Sequence, residues 1–278
     1  MDLSNENVIH QKKNGIEYLQ FRRLLDYQDK IEHAYTLGLN WDFRTGINQI
    51  AEEGREKYKR NLASYQKLCD TLKLDYTNIV RPVQKHTNRV KVVEKKIRKN
   101  KPDFDLKEYQ NTDGLITNQQ DILLGTINAD CILLLFYDPV KDVIANTHSG
   151  WKGTLQRISV KTVEKMVAEF ECNPKDIICC LCPSIHKCHF EVEKDVKDLF
   201  EKEFQDLDRQ KFIEEKILNQ KWNIDTIYLN QELLQRVGLQ KDNIIDSKIC
   251  SVCHADQIHS YRIEKTQYGL NLALIGKR

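Results

Sequence analysis

The sequence predicts a single α/β domain with mixed β-sheets, spanning residues 1–278. Strand-like and helix-like segments interleave along the whole chain, the pattern that layers helices on sheets. No Gly/Ser/Pro-rich linker and no fixed-period repeat divides it. The run Cys131-Ile132-Leu133-Leu134-Leu135-Phe136-Tyr137 is continuously apolar, as expected of a strand covered on both faces.

The first expected element is a short strand over residues 15–21, followed by an irregular stretch. A helix follows over 50–74, where Leu62, Tyr65, Leu68, Cys69 and Leu72 recur at three- and four-residue intervals. Strands are expected over 78–83, 89–93 and 121–126. Asp138-Pro139 ends the apolar strand as a turn, and 143–147 forms the next strand. A helix over 154–170 precedes a strand over 177–181. Charged helical segments occupy 192–215, and a further helix 229–237. Strands over 243–249 and 270–275 finish the chain.

Hydrophobic residues make up 40% of the chain and charged residues 30%, enough for a core under a well-solvated surface. The net charge of +2 gives no nucleic-acid or membrane signature. The basic run from Lys91 to Lys101 has no interleaved aromatics and reads as a solvated hairpin. No apolar run reaches the roughly 18–20 residues that span a bilayer. The polar start Met1-Asp2-Leu3-Ser4-Asn5-Glu6-Asn7 is unlike a signal peptide, so a cytoplasmic location is expected. The nine cysteines are then thiols, metal ligands or core residues rather than disulfides.

Three segments place a soft or borderline ligand beside an apolar, strand-like run: Gln84-Lys85-His86, Ala129-Asp130-Cys131 and Thr147-His148-Ser149-Gly150-Trp151. If they converge, His86, Cys131 and His148 supply three corners of a zinc tetrahedron. The fourth is left for water or substrate, as in catalytic rather than structural sites. Gly150 and Gly153 are expected to permit tight turns before a helix, whose N-terminus with Lys152 offers positive potential to an anion.

These segments occur in order with Asp113-Gly114-Leu115-Ile116-Thr117, Pro183-Ser184-Ile185-His186-Lys187-Cys188 and Ser260-Tyr261-Arg262. Together they resemble the laccase-domain family, also called multicopper polyphenol oxidase or YfiH-like, from about residue 30 to the end. The resemblance implies an α/β/β/α fold and a zinc held by His86, Cys131 and His148. It also implies purine nucleoside phosphorylase activity, with adenosine deaminase and methylthioadenosine phosphorylase activities. Purine nucleosides and inorganic phosphate are the implied partners, with no nucleic acid, no membrane and a monomer as the default. Catalytic roles fall to Cys131, His148 and Asp130, and substrate-binding roles to Lys152, Arg262 and Asp113, with Asp130 or Asp113 moving protons. The chain departs from the family where an Arg-x-Gly-Gly stretch is usual and Tyr35-Thr36-Leu37-Gly38-Leu39 stands instead. Arg44 is the candidate substitute. Lys152 replaces the usual arginine after Gly-Trp, and Ile263-Glu264 follows Ser-Tyr-Arg in place of Arg-Asp.

Copper chemistry is the weaker reading. A multicopper oxidase needs His-x-His pairs, and the chain's eight histidines form none. A mononuclear copper site also wants an axial ligand. Two further alternatives are a metal-independent cysteine hydrolase or amidase, with Cys131 as nucleophile and His148 as base, and a non-enzymatic zinc-binding module. Cys250-Ser251-Val252-Cys253-His254 matches a haem-attachment pattern, but haem attachment belongs to exported chains. A structural zinc using Cys250 and Cys253 with two of Cys179, Cys180, Cys182 and Cys188 is the other option. Core or surface thiols are the simpler expectation.

Overall fold

A computed structural model describes residues 1–44, 52–94, 107–216 and 220–278. The chain begins with strands β1 (Val8–Lys13) and β2 (Ile16–Phe21), a helical turn α1 (Arg22–Leu25) and β3 (Ile31–Leu37). The long helix α2 (Glu52–Leu72) leads to the short strands β4 (Ile79–Val80), β5 (Val90–Val92) and β6 (Gly114–Thr117). Next come β7 (Leu123–Asn128), β8 (Ile132–Asp138) and β9 (Val143–Ser149), then α3 (Trp151–Leu155), α4 (Ile158–Phe170) and β10 (Ile178–Leu181). The remainder is β11 (Glu191–Val192), α5 (Lys194–Glu203), α6 (Arg209–Phe212), β12 (Ile213–Lys216), β13 (Lys221–Ile224), α7 (Thr226–Arg236), β14 (Ile244–Asp246), α8 (Tyr261–Glu264) and β15 (Asn271–Lys277).

One sheet runs β1-β2-β3-β15-β7-β4 and a second runs β14-β10-β8-β9-β6-β5. Both mix parallel and antiparallel pairs. The period-2 alternation of strands decides how they pack. In β8, Leu133, Leu135 and Tyr137 face Leu19, Tyr35, Leu124, Ala273 and Ile275 of the first sheet. Ile132, Leu134 and Phe136 of the same strand face Val163 and Met166 of α4 and Ile227 and Leu234 of α7. In β15, Leu272 and Leu274 point the other way, onto Tyr65, Leu68, Cys69 and Leu72 of α2. The result is the expected α/β/β/α layering. A small sheet, β11-β13-β12, packs with α5 and α6 around Phe200, Phe204 and Phe212.

Several elements differ from the sequence expectation. The stretch after residue 21 is not irregular, because β3 is buried at every position. Its polar residues are satisfied: Glu32 accepts from Gln20 Nε2 at 2.7 Å, and His33 Nε2 accepts from the Phe21 amide at 2.7 Å. Strand β1 was also not expected, and β12 replaces the end of the charged helical stretch. The helix expected over 154–170 is two helices, broken at Arg157 with φ 57°. The expected start of α2 at residue 50, and the basic run beyond residue 94, lie outside the described residues. No helix among the described residues is long and apolar enough to cross a membrane.

Candidate metal centre and cavity

The antiparallel pairing of β8 with β9 sets Ile132 opposite Ser149. Cys131 and Gly150 are therefore neighbours just beyond the last rung. β6 pairs with the other edge of β9, placing Gly114 opposite Thr147 and Asp113 beside His148. The His148 amide donates to the Asp113 carbonyl at 2.7 Å. His86 arrives on the turn between β4 and β5. That turn is anchored by Gln84, whose amide both donates to and accepts from the Ile127 backbone at 2.8 Å.

Asp113 is fully buried, and both carboxylate oxygens are in use. They accept from the amides of Lys85 at 3.2 Å, His86 at 3.0 Å and Thr87 at 2.8 Å, and from the Thr87 hydroxyl at 2.7 Å. Oδ1 also accepts from His148 Nδ1 at 2.8 Å. This nest holds His86 at φ 58°, a left-handed conformation that costs a non-glycine residue about 1–2 kcal/mol. It also orients the His148 ring, leaving Nε2 to face the site.

The predicted ligands are thus gathered. Cys131 Sγ is 3.7 Å from His86 Nε2, and the two imidazoles meet edge to face with centroids 4.9 Å apart. One donor atom from each of His86, Cys131 and His148 lies within 4.8 Å of the others. Two imidazole nitrogens and one sulfur, with a carboxylate behind one imidazole, form a donor set that suits a tetrahedral cation with one open position. No further His, Cys, Asp or Glu joins the cluster among the described residues.

The electrostatics are those of an ion pair when metal is absent. Burial disfavours it, but the His148 charge and its hydrogen bond outweigh burial and bring the Cys131 thiol down to about 6. Against the same burial, Cys131 and Asp113 lift His148 to about 9. Burial likewise opposes ionisation of Asp113, yet its hydrogen bonds from His148 and Thr87 hold it down at about 2.

Gly150 has φ −66° and ψ 173°, a backbone any residue adopts, so the expected turn is not why glycine stands there. A Cβ at this position would lie 2.5 Å from His86 Cδ2 and 3.0 Å from Cys131 Sγ. The requirement is close approach of the backbone to the ligands.

A cavity of about 590 Å³ opens over the cluster, within the range of ~300–1,000 Å³ typical of small-molecule sites. Its wall includes Trp151, Phe190, Tyr261 and Tyr268 together with Arg81 and Arg262. Arg81 is buried, and its guanidinium donates to the Phe43 carbonyl at 3.0 Å and the Tyr65 hydroxyl at 2.5 Å. Arg262 donates to the Glu191 carbonyl at 3.0 Å. Asp130 has φ 81°, a left-handed bend at the strand edge. Its carboxylate accepts from the Ser251 hydroxyl at 2.6 Å and the Arg262 amide at 2.7 Å. Lys152 is exposed, with Nζ 5.3 Å from the Trp151 ring centroid, and does not line the cavity. Arg44 packs over the Tyr268 ring at 4.5 Å. Sequence reasoning passed over Arg81 and the aromatic wall, because isolated arginines and aromatics in strand-like or loop segments carry no spacing signal.

The model of the family described as "Multi-copper polyphenol oxidoreductase laccase" matches residues 49–278. The chain belongs to this family. It is 30% identical over 262 residues to purine nucleoside phosphorylase SA1030 of Staphylococcus aureus, covering 91% of this chain and 96% of that protein. It is 32% identical over 176 residues to purine nucleoside phosphorylase LACC1 of Mus musculus. That match takes in 62% of this chain but only 40% of the length of the mouse protein. The crystal structure of YlmD from Geobacillus stearothermophilus superposes with a TM-score of 0.80 at 20% identity, covering 98% of this chain and 99% of that one, and shows the same fold.

Two expectations follow from the site. Gly150→Ala should weaken metal affinity at least tenfold, about 1.4 kcal/mol, while leaving thermal unfolding of the metal-free protein within a few degrees of wild type; metal titration with a competing chelator measures it. In metal-free protein, alkylation of Cys131, followed by peptide mass spectrometry, should rise with pH through about 6 and then level off. A rise centred near the ordinary thiol value of about 8.5 would contradict the ion pair.

Proposed function

We propose that this chain is a zinc-dependent purine nucleoside phosphorylase. The observation that carries the proposal is the convergence of His86, Cys131 and His148 at an aromatic-walled cavity that Arg262 also lines. The relatives named purine nucleoside phosphorylase support it. Zinc suits the two-nitrogen, one-sulfur set, whereas a mononuclear copper site would want a further axial ligand. A bound zinc supplies Lewis acidity and an acidified water.

The chain's own residues do the rest. Phe190, Tyr261 and Tyr268 offer faces for a flat purine ring. Arg262 holds phosphate against the ribose, with Lys152 adding only long-range positive potential from outside the cavity wall. Phosphate attacks the ribose C1′ as the bond to the purine nitrogen breaks; the proton that hydrogen phosphate loses passes to the departing purine, giving ribose 1-phosphate and the free base. Asp130 acts by fixing the Arg262 backbone, and Asp113 by fixing His148 and the His86 turn. Their oxygens are committed to those hydrogen bonds, so neither is free to carry protons. Methylthioadenosine is a candidate for the same phosphorolysis, since the reaction leaves the 5′ substituent untouched. Adenosine deamination, the remaining activity, needs water in place of phosphate at the open side of the ligand cluster.

A second reading is favoured by one observation, the lowered Cys131 thiol beside a protonated His148. That is the pair a metal-independent cysteine hydrolase would use. Chelation separates the readings, because it abolishes a zinc enzyme and spares or activates a thiol enzyme.

Adenosine incubated with wild-type protein and phosphate should give adenine and ribose 1-phosphate, with inosine as the deamination product. Cys131→Ala should lower both by at least ~10³-fold, on the order of 4 kcal/mol, in a protein whose circular dichroism is unchanged. Turnover retained in folded, zinc-free Cys131→Ala would exclude the metal mechanism.

A further inference from the structure

We propose a second zinc site, purely structural, built from Cys188, His189, Cys250 and Cys253. β10 and β14 are parallel neighbours, so the loops that follow them leave the sheet at the same end. The first loop turns at His186, whose carbonyl accepts from the His189 and Phe190 amides at 2.9 Å. The second turns at Cys250, whose carbonyl accepts from the His254 amide at 3.2 Å. A bridge between Ser184 and Cys250 aligns the two loops.

The alignment brings three sulfurs and one imidazole nitrogen within 4.8 Å of one another. His189 Nδ1 lies 3.2 Å from Cys188 Sγ, 3.7 Å from Cys250 Sγ and 3.5 Å from Cys253 Sγ. Cys188 Sγ and Cys253 Sγ are 3.9 Å apart. Zinc bonded at ~2.3 Å to sulfur and ~2.0 Å to nitrogen in a tetrahedron sets edges of about 3.8 Å between sulfurs and about 3.5 Å from sulfur to nitrogen. The observed separations match those edges. They do not match a disulfide, whose sulfurs lie ~2.05 Å apart, and all four side chains belong to free thiols or a histidine. The histidine of the cluster is His189 rather than His254, so the Cys-x-x-Cys-His order in the sequence is incidental. Cys179, Cys180 and Cys182 take no part, because they pack on alternate faces of the β10 segment in the core.

Four protein donors close the coordination sphere, which marks a structural site; the three-donor cluster under the cavity stays open. Binding releases the thiol protons to solvent and leaves thiolates on the metal. The loops it fastens also wall the cavity. Ile185 and Phe190 line it, and Ser251 holds Asp130, which holds Arg262. The zinc therefore staples the part of the cavity wall that carries Ile185, Phe190 and Arg262.

The test is the metal content of the full chain, by native mass spectrometry and elemental analysis of protein expressed with zinc. Wild type should carry two zinc ions, Cys131→Ala one, and the Cys188→Ser/Cys253→Ser double variant one. Both substituted cysteines are exposed, so serine leaves the core intact. Cobalt(II) substitution adds a readout independent of nucleoside turnover. The intense visible bands of a thiolate-rich tetrahedral site should persist in Cys131→Ala and vanish in the double variant. A wild-type count of one that Cys131→Ala reduces to zero would overturn the proposal. So would two ions retained in the double variant.

Discussion

The Asp113 carboxylate is the constraint on which the candidate centre depends. It sits where β6 begins, with no access to solvent. A buried carboxylate must have its charge met by donors, and here the donors are the backbone of the His86 turn and the ring of His148. One side chain therefore fixes two ligands at once. It compels a left-handed backbone at His86 and selects the His148 tautomer. Cys131 needs no such help, since the β8–β9 register delivers it directly.

The location of the centre follows from how the two sheets are joined. β7 belongs to one sheet and β8 to the other, and Ala129-Asp130-Cys131 is the short crossing between them. Asn128, at the end of β7, donates to the Cys131 carbonyl at 2.6 Å and the Pro183 carbonyl at 3.0 Å, and accepts from the Tyr35 hydroxyl at 3.0 Å. The crossing is thereby held by both layers of the sandwich. The cavity at this junction takes its floor from the ends of β7, β8 and β9 and much of its wall from the loops that leave them. Within the core, Asn146 ties the sheets together by donating to the Leu124 and Ala273 carbonyls at 2.9 Å.

Much of this was legible in the chain itself. The apolar run 131–137 reads as a strand covered on both faces, and its alternating contacts with two cores show why. The candidate ligands could be named because soft donors at strand ends are chemically conspicuous. What escaped was whatever depended on tertiary partners. β3 hides behind Glu32 and His33, whose burial is tolerated only through Gln20 and the Phe21 amide. The depth of Asp113 could not be read from a sequence that equally suits a plain turn. The need for glycine at 150 is set by His86, 64 positions away in the chain by the numbering. Arg81 was invisible because its place in the cavity wall depends on how β4 docks against β7.

The most direct test of the account is zinc affinity in Asp113→Asn, measured by competition with a chromophoric chelator on protein shown by circular dichroism to be folded. Asparagine keeps the shape but loses the charge and half the acceptors. The account predicts a fall of about 10–100-fold at the three-ligand centre, the usual effect of losing a partner that orients a metal-bound histidine. Wild-type affinity in the folded variant would contradict it, and would mean that the strand register alone assembles the site.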